Sequence, residues 1–396
     1  MMRSADSSNN LAFALLLAFL FLIDISIAGC YILLTLILLL AVLHLLRGGK
    51  FPRLPFFCVF FGAYILFTLL ATVFSQDRAA SIADNKELLI FLLIPIYLWL
   101  LDSWKRVWLS IWTVLAAGVF SAMIGIVSVL KKGISLSARL QGFTSHWMTY
   151  AGLLMFVFIF FFVLLVLRRR ADKAAFIIGA SLIILLSAIA FSLTRNVWLG
   201  IGSSLLLFLI FFRPRYVLVV APALVILALI APLSVRSRVL SIVDLKDSGN
   251  RERIYMVYSG LKIAVDHPWT GVGANNVAKV IAANPARYKH PQAREINLHL
   301  HNNFLQILAE RGIFALASFL LACLFIILQL LKKLKSSSGD RRVITAGTLF
   351  AFAGFLVAGL FEYNFGDSEI KFILFYFLIL PFLDLKEDDH VQIEKN

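Results

Sequence analysis

Apolar runs long enough to cross a membrane recur along the whole chain, and few of them carry an internal charge. Residues 11–46 alone hold two such lengths, with Asp24 and Gly29 as the only hints of a turn between them. A helix needs about 20 consecutive apolar residues to cross a hydrocarbon core of about 30 Å. One long run is compatible with a buried core helix in a soluble domain, whereas about twelve are not. Composition agrees: 61% of the residues are hydrophobic and 15% charged, where a soluble domain carries about 25% charged residues. The fold class that follows is an all-α polytopic membrane protein.

The pattern predicts spans over about 10–27, 29–46, 54–74, 87–101, 107–130, 148–167, 174–192, 196–212, 216–233, 312–331, 343–361 and 369–385. The polar amino terminus leads into the first run without a small-residue cleavage site, so that run is read as an uncleaved span. Cys30, Cys58 and Cys323 all lie in or beside apolar runs and form no CxxC pair, which argues against a disulfide framework or a zinc site.

Short alternate loops differ in basic charge. One set holds Arg47, Lys50 and Arg53, then Lys105 and Arg106, then Arg168–Arg170 and Lys173, then Arg213 and Arg215, then Lys332 to Arg342. The other set is much poorer in Lys and Arg. The rich set is expected in the cytoplasm, which places both termini there too, as an even number of spans requires. Three regions result: residues 1–233 with nine spans, a polar loop over 234–311 on the non-cytoplasmic side, and residues 312–396 with three spans and a short tail.

The loop breaks the charge rule. It carries Arg236, Arg238, Arg251, Arg253, Arg287, Arg294 and Arg311 on the side where basic residues are otherwise scarce. Long loops translocate regardless of charge, yet so many arginines outside the cytoplasm point to an anionic ligand. Within the loop, Asp247, Ser248 and Asn250 offer cap chemistry for a helix from Arg251 to His267. Ile254, Val257, Leu261 and Val265 recur along it at helical spacing, and Pro268 ends it. Such an amphipathic helix lies on the membrane surface or packs on the bundle. Residues 268–276 then read as a tight structural turn built on Gly271 and Gly273.

A further helix begins near His301 and continues into the tenth span. Asn302, Gln306 and Glu310 fall on one stripe of it. His299 and His301 lie two apart, and no cluster of carboxylates or cysteines accompanies them, so no metal or other cofactor is expected. An imidazole at this position has the intrinsic pKa of a general base. Arg195 is the lone charge of a tight turn between two apolar spans, where an unpaired cation is costly and a functional partner is the default. Arg139 stands on the same side.

These residues, in this order, resemble the lipopolysaccharide O-antigen ligase family within the wider ligase and polymerase superfamily. Arg195 in a short outer loop is followed by a large loop starting Gly249-Asn250-Arg251-Glu252-Arg253-Ile254-Tyr255. The loop passes through Asp266-His267-Pro268-Trp269-Thr270-Gly271-Val272-Gly273 and closes on His301-Asn302-Asn303-Phe304. His301, Asn302 and Gly312 meet the family spacing of His, then a small polar residue, then nine residues, then Gly. Ala315 stands where a Thr is common, and Asn250 separates the usual Gly-Arg junction, so either Arg251 or Arg253 fills the arginine position; the aromatic at Tyr255 favours Arg251.

The resemblance implies a GT-C-like, metal-independent inverting glycosyltransferase in the bacterial inner membrane. It takes a glycan from undecaprenyl pyrophosphate and attaches it to lipid A–core at the periplasmic face. His301 is then the base, and Arg195 and Arg251 grip the pyrophosphate. Arg139, Arg253, His299 and Asn302 are further candidates. The expected partners are the carrier-linked glycan, the lipid A–core acceptor and membrane lipids, with no nucleic acid. The rivals are an O-antigen polymerase or a protein O-oligosaccharyltransferase using the same donor, and a solute transporter. The spans are nearly free of midplane charge, which argues against the transporter.

Overall fold

The computed structural model describes residues 2–132, 139–168, 172–218 and 233–385. Among these residues every regular element is helical. Seven helices are long and apolar enough to cross a membrane. They are α2 (Ile27–Leu46), α6 (Trp104–Lys132), α7 (Trp147–Arg168), α8 (Lys173–Phe191), α9 (Arg195–Phe212), α14 (Asn303–Ser336) and α15 (Gly339–Ala358). The chain is an all-helical polytopic membrane protein. α1 (Met2–Leu22) and α3 (Cys58–Val73) contribute shorter apolar stretches. The ninth predicted span lies mostly outside the described residues.

Local chemistry sets the breaks. Between α1 and α2 the chain turns at Asp24, and the Ser26 hydroxyl caps α2 by accepting from the Gly29 N–H at 3.2 Å. The short α4 (Arg78–Asp84) is capped in the same way by Asp77. The fourth predicted span is not one continuous helix. A 3-10 stretch over Asn85–Leu92 hands over to α5 (Leu93–Leu100), with Pro95 in the first turn of α5. Proline has no N–H to donate and clashes with the carbonyl four residues earlier, so an α-helix starts there more readily than it passes through. The last predicted span is likewise α16 (Ser368–Ile379) followed by a 3-10 turn at Pro381.

α7 is apolar all round and buried nearly all round, as a central helix must be. It packs against α9 and α15, which meet each other closely at Gly200 and Gly354. A Cβ on Gly200 would stand 2.8 Å from the Gly354 carbonyl oxygen. Small residues at a crossing let two backbones approach inside a membrane. The Ser204 hydroxyl adds an interhelical bond to the Phe350 carbonyl at 2.7 Å.

The polar loop folds into α10 (Leu233–Leu240), α11 (Ser248–Asp266), α12 (Val277–Ala283) and α13 (Pro285–Tyr288). It has a small core of its own, including Ile263, Val272, Val277, Ile281, Leu300 and Leu305. α11 turns the opposite way from what its apolar pattern suggests for a core helix. Ile254, Val257, Leu261 and Val265 are exposed, while Met256, Ser259, Gly260, Ile263 and Ala264 face inward. Gly260 sits where a Cβ would meet Leu305 and Leu300 at 2.7 Å. The outward apolar stripe suits a helix lying against lipid.

Candidate active site

The site begins with a break in α14. Gly312 has φ +78 and ψ −178, so the helix is interrupted nine residues after its first. A Cβ there would lie 2.0 Å from the Trp269 carbonyl oxygen, which excludes any larger residue without a shift. The turn at 268–276 clasps this break. The Val272 and Gly273 N–H groups donate to the carbonyls of Ala309 and Glu310, and the Ile313 N–H donates to Pro268. Glu310 accepts from the Asn275 N–H at 2.8 Å and from Gln306 at 2.9 Å. The predicted polar stripe of Asn302, Gln306 and Glu310 therefore fastens the loop to the bundle.

Asn302 caps α14, its side-chain oxygen accepting from the Leu305 N–H at 2.9 Å. Its amide donates to the Leu360 carbonyl at 2.9 Å, and the Asn303 N–H donates to Gly359 at 2.8 Å. The loop end is thereby tied to the connection between α15 and α16. His301, just before the cap, has φ +48, a left-handed conformation that costs about 1–3 kcal/mol for a non-glycine residue. This geometry brings His301 Nδ1 to 2.8 Å from both carboxylate oxygens of Glu362. Burial alone would raise the Glu362 carboxyl. The His301 bond, the His301 charge and the Arg253 charge outweigh it and hold the group below the usual glutamate value.

Four arginines gather beside this pair. Arg195, the first residue of α9, is buried, and its Nη1 donates to the Ser241 carbonyl, the Ser241 hydroxyl and Asp247 Oδ1 at 2.8, 3.0 and 2.9 Å. Its Nη2 is buried without a partner among the described residues. Arg253 donates from Nε to the Phe361 carbonyl at 3.1 Å, next to Glu362. Arg238 donates to the Leu193 carbonyl at 3.2 Å. Arg139 lies over the Trp147 ring at 4.8 Å, and Trp147 also meets the His146 ring at a tilt, 4.2 Å between centroids. The Trp147 indole N–H is a second buried donor without a partner among the described residues.

The electrostatics show how crowded these cations are. Arg238 is pushed down to about 10 by burial and then by Arg195 and Arg139. Burial, Arg195 and Arg253 lower Arg139, and burial lowers Arg253 against the pull of Glu362. His146 and His299 are lowered as well, by burial first. Asp247 is held below the usual aspartate value: burial opposes this, and the Arg195 hydrogen bond and charge outweigh burial. Asp247 is coupled to all four arginines and Glu362 to Arg253, which leaves a surplus of positive charge. An anion bound here would relieve that repulsion.

The structure therefore groups Arg139, Arg195, Arg253, His299, His301 and Asn302 at one end of the bundle. It does not tie Arg251 into their network: Arg251 is exposed in the first turn of α11 and makes no side-chain bond among the described residues. Arg253, two residues on, faces Glu362. Glu362, Asp247, Arg238 and His146 join the site without having been singled out from the sequence. Asp247 was read only as cap chemistry; in the folded chain it both caps α11 and binds Arg195. Among the described residues no group of three or more His, Cys, Asp or Glu side chains is arranged to hold a metal ion.

Residues 180–320 match the family described as O-antigen ligase. That stretch is similar to the O-antigen ligase family. It runs from within α8 to within α14 and takes in Arg195, Arg253, His301, Asn302 and Gly312. It supports an activity of the O-antigen ligase and polymerase type, which is that of a membrane glycosyltransferase. Arg139 and Glu362 lie outside the matched stretch. No curated protein matches the chain significantly.

Proposed function

We propose that this chain is an O-antigen ligase that moves a glycan from undecaprenyl pyrophosphate to a hydroxyl of lipid A–core at the periplasmic face of the inner membrane. The observation that carries this reading is the His301–Glu362 pair set against four arginines, one of which has a buried N–H group with no partner among the described residues.

The pieces suit an inverting transfer. With Nδ1–H donated to Glu362, the other ring nitrogen of His301 is the one left to accept a proton. The acceptor hydroxyl attacks the anomeric carbon from the face opposite the leaving group and loses its proton to His301. The bond from that carbon to the phosphate oxygen breaks, and its electron pair leaves with the pyrophosphate. Fixed guanidiniums are well matched to that growing charge, because they bind phosphate through paired N–H groups and keep their proton. Arg195 and Arg253 are assigned the pyrophosphate, with Arg139 and Arg238 beside them. Glu362 holds the imidazole in one tautomer and stabilises its protonated form, a role of the kind a carboxylate plays behind a catalytic histidine.

The test is a lipopolysaccharide gel on a deletion strain and its complements, paired with a reconstituted transfer assay. The intact chain restores long glycan on core, and the His301→Ala variant leaves carrier-linked glycan unligated. Single units ligated to core in the deletion strain point instead to the polymerase reading. Near-normal transfer by His301→Ala removes the base assignment.

A further inference from the structure

We infer a second ligand site at the opposite end of the bundle: a basic cleft between α7, α9 and α15 that holds the headgroup of an anionic phospholipid. The inference does not rest on the proposed transfer reaction.

Three helices fix its position. α9 begins at Arg195, α15 runs toward Glu362, and Thr149 at the start of α7 donates to Asp367 at 2.8 Å. Each of the three has one end at the His301 site. Their other ends, Arg168, Arg213 and Gly339, surround a cleft of about 510 Å³. α7 has 22 residues, which at 1.5 Å each makes a length of about 33 Å, a full membrane crossing. The cleft therefore opens at the far membrane surface. Trp104 and Trp108, at the start of α6, mark the same level, where tryptophans gather between headgroups and hydrocarbon.

Its chemistry is that of an amphiphile's binding site. Among the described residues Arg168, Arg213 and Arg342 line it with one carboxylate, Asp340, so the balance of these is cationic. Arg168 stacks on Trp108 at 4.5 Å, and its Nη2 stays 3.7 Å from Asp340, a loose pairing. Arg213 bonds only the adjacent Phe212 carbonyl among the described residues, at 3.2 Å. Leu167, Phe212 and Val343 supply the apolar wall. Basic clefts between membrane helices at the headgroup level recognise anionic lipid phosphates. The volume falls in the range of about 300–1,000 Å³ typical of small-molecule sites. A soluble phosphate would use the arginines and leave the apolar wall idle, whereas a phospholipid uses both.

The experiment is native mass spectrometry of the purified full-length chain in detergent with added short-chain phosphatidylglycerol or phosphatidylcholine. The expected result is selective retention of phosphatidylglycerol, reduced roughly tenfold in the Arg213→Ala/Arg342→Ala double variant. Thermal melting of that variant checks its fold. Should it fail to fold, Arg342→Glu alone, a change on an exposed side chain, is read in the same way. Unchanged retention in the variant overturns the site, and so does equal retention of the two lipids. Displacement of the lipid by inorganic phosphate assigns the cleft to a free anion and overturns the lipid reading.

Discussion

His301 and Glu362 meet where the polar loop docks onto the connection between α15 and α16, with Nδ1 2.8 Å from each carboxylate oxygen. Two independent strands of packing hold them there. The Asn302 cap fixes the histidine side, and the Arg253 bond to Phe361 together with the Asn303 contacts to Asn364 and Phe365 fixes the glutamate side. Glu362→Gln keeps the shape of this contact and removes its charge. The expected outcome in a reconstituted transfer assay is a kcat about 10²-fold lower with little change in donor KM, because the lost charge matters only once the imidazole is protonated. A kcat within twofold of the parent means that Glu362 has no part in the chemistry.

The arginines separate by geometry. Arg195→Ala and Arg253→Ala each remove a guanidinium from the crowded cluster, and each is expected to weaken transfer by about 10²-fold or more. Arg251→Ala is expected to stay within a few-fold, since Arg251 is exposed on α11. Donor saturation curves on the three variants check this. A loss confined to Arg251→Ala would reverse the assignment and restore the pairing favoured by the sequence.

Much of the architecture was legible because membrane spans announce themselves by length and apolarity, and α7 to α9 fall within a few residues of their predicted bounds. Which of Arg251 and Arg253 turns toward Glu362 was not legible. Two residues along a helix differ by about 200° in direction, so the choice depends on which face of α11 is buried. Its inward face mixes Ser259, Gly260 and Ala264 with Met256 and Ile263, while Ile254, Val257, Leu261 and Val265 face outward, so apolarity alone does not tell the two faces apart. Glu362 was hidden for another reason. It lies 61 residues beyond His301 in a short connection, where one acid among polar loop residues carries no spacing signal. Arg195 and His301 stood out in the sequence because each is a polar residue where the surrounding apolar pattern supplies no evident need for one.

Gly312 is where the family spacing becomes a backbone requirement. Gly312→Ala places a Cβ 2.0 Å from the Trp269 carbonyl oxygen at a φ of +78, and both effects oppose the native break in α14. The expected destabilisation is about 2 kcal/mol or more, since the backbone strain and the displaced turn add. Thermal melting in detergent reads the loss. A parallel fall in transfer is expected, because the same turn positions the start of α14. A variant melting at the parental temperature would show that the turn at 268–276 is not clasped to the helix.

Asp367 makes the fold lose stability as pH rises from acid toward neutral. Its carboxyl is pushed up to about 7, chiefly by burial, with Glu362 and Glu369 adding to the rise and the Thr149 hydroxyl opposing it. A carboxyl unfolds to a value near 4, so between about pH 4 and 7 the folded chain binds a proton that the unfolded chain has released. Stability then falls as pH rises across that window, at up to about 1.4 kcal/mol per pH unit, and levels off above it. Glu362 acts in the opposite sense. Its carboxyl is depressed in the folded chain, so its contribution is present above the ordinary glutamate value and is lost as pH falls through the folded one. Asp367→Asn keeps a hydrogen-bond partner for Thr149 and removes the titration. The variant is expected to melt above the parent at pH 8 and to lose the decline between pH 5 and 7. A parental slope retained in Asp367→Asn places the titrating group elsewhere.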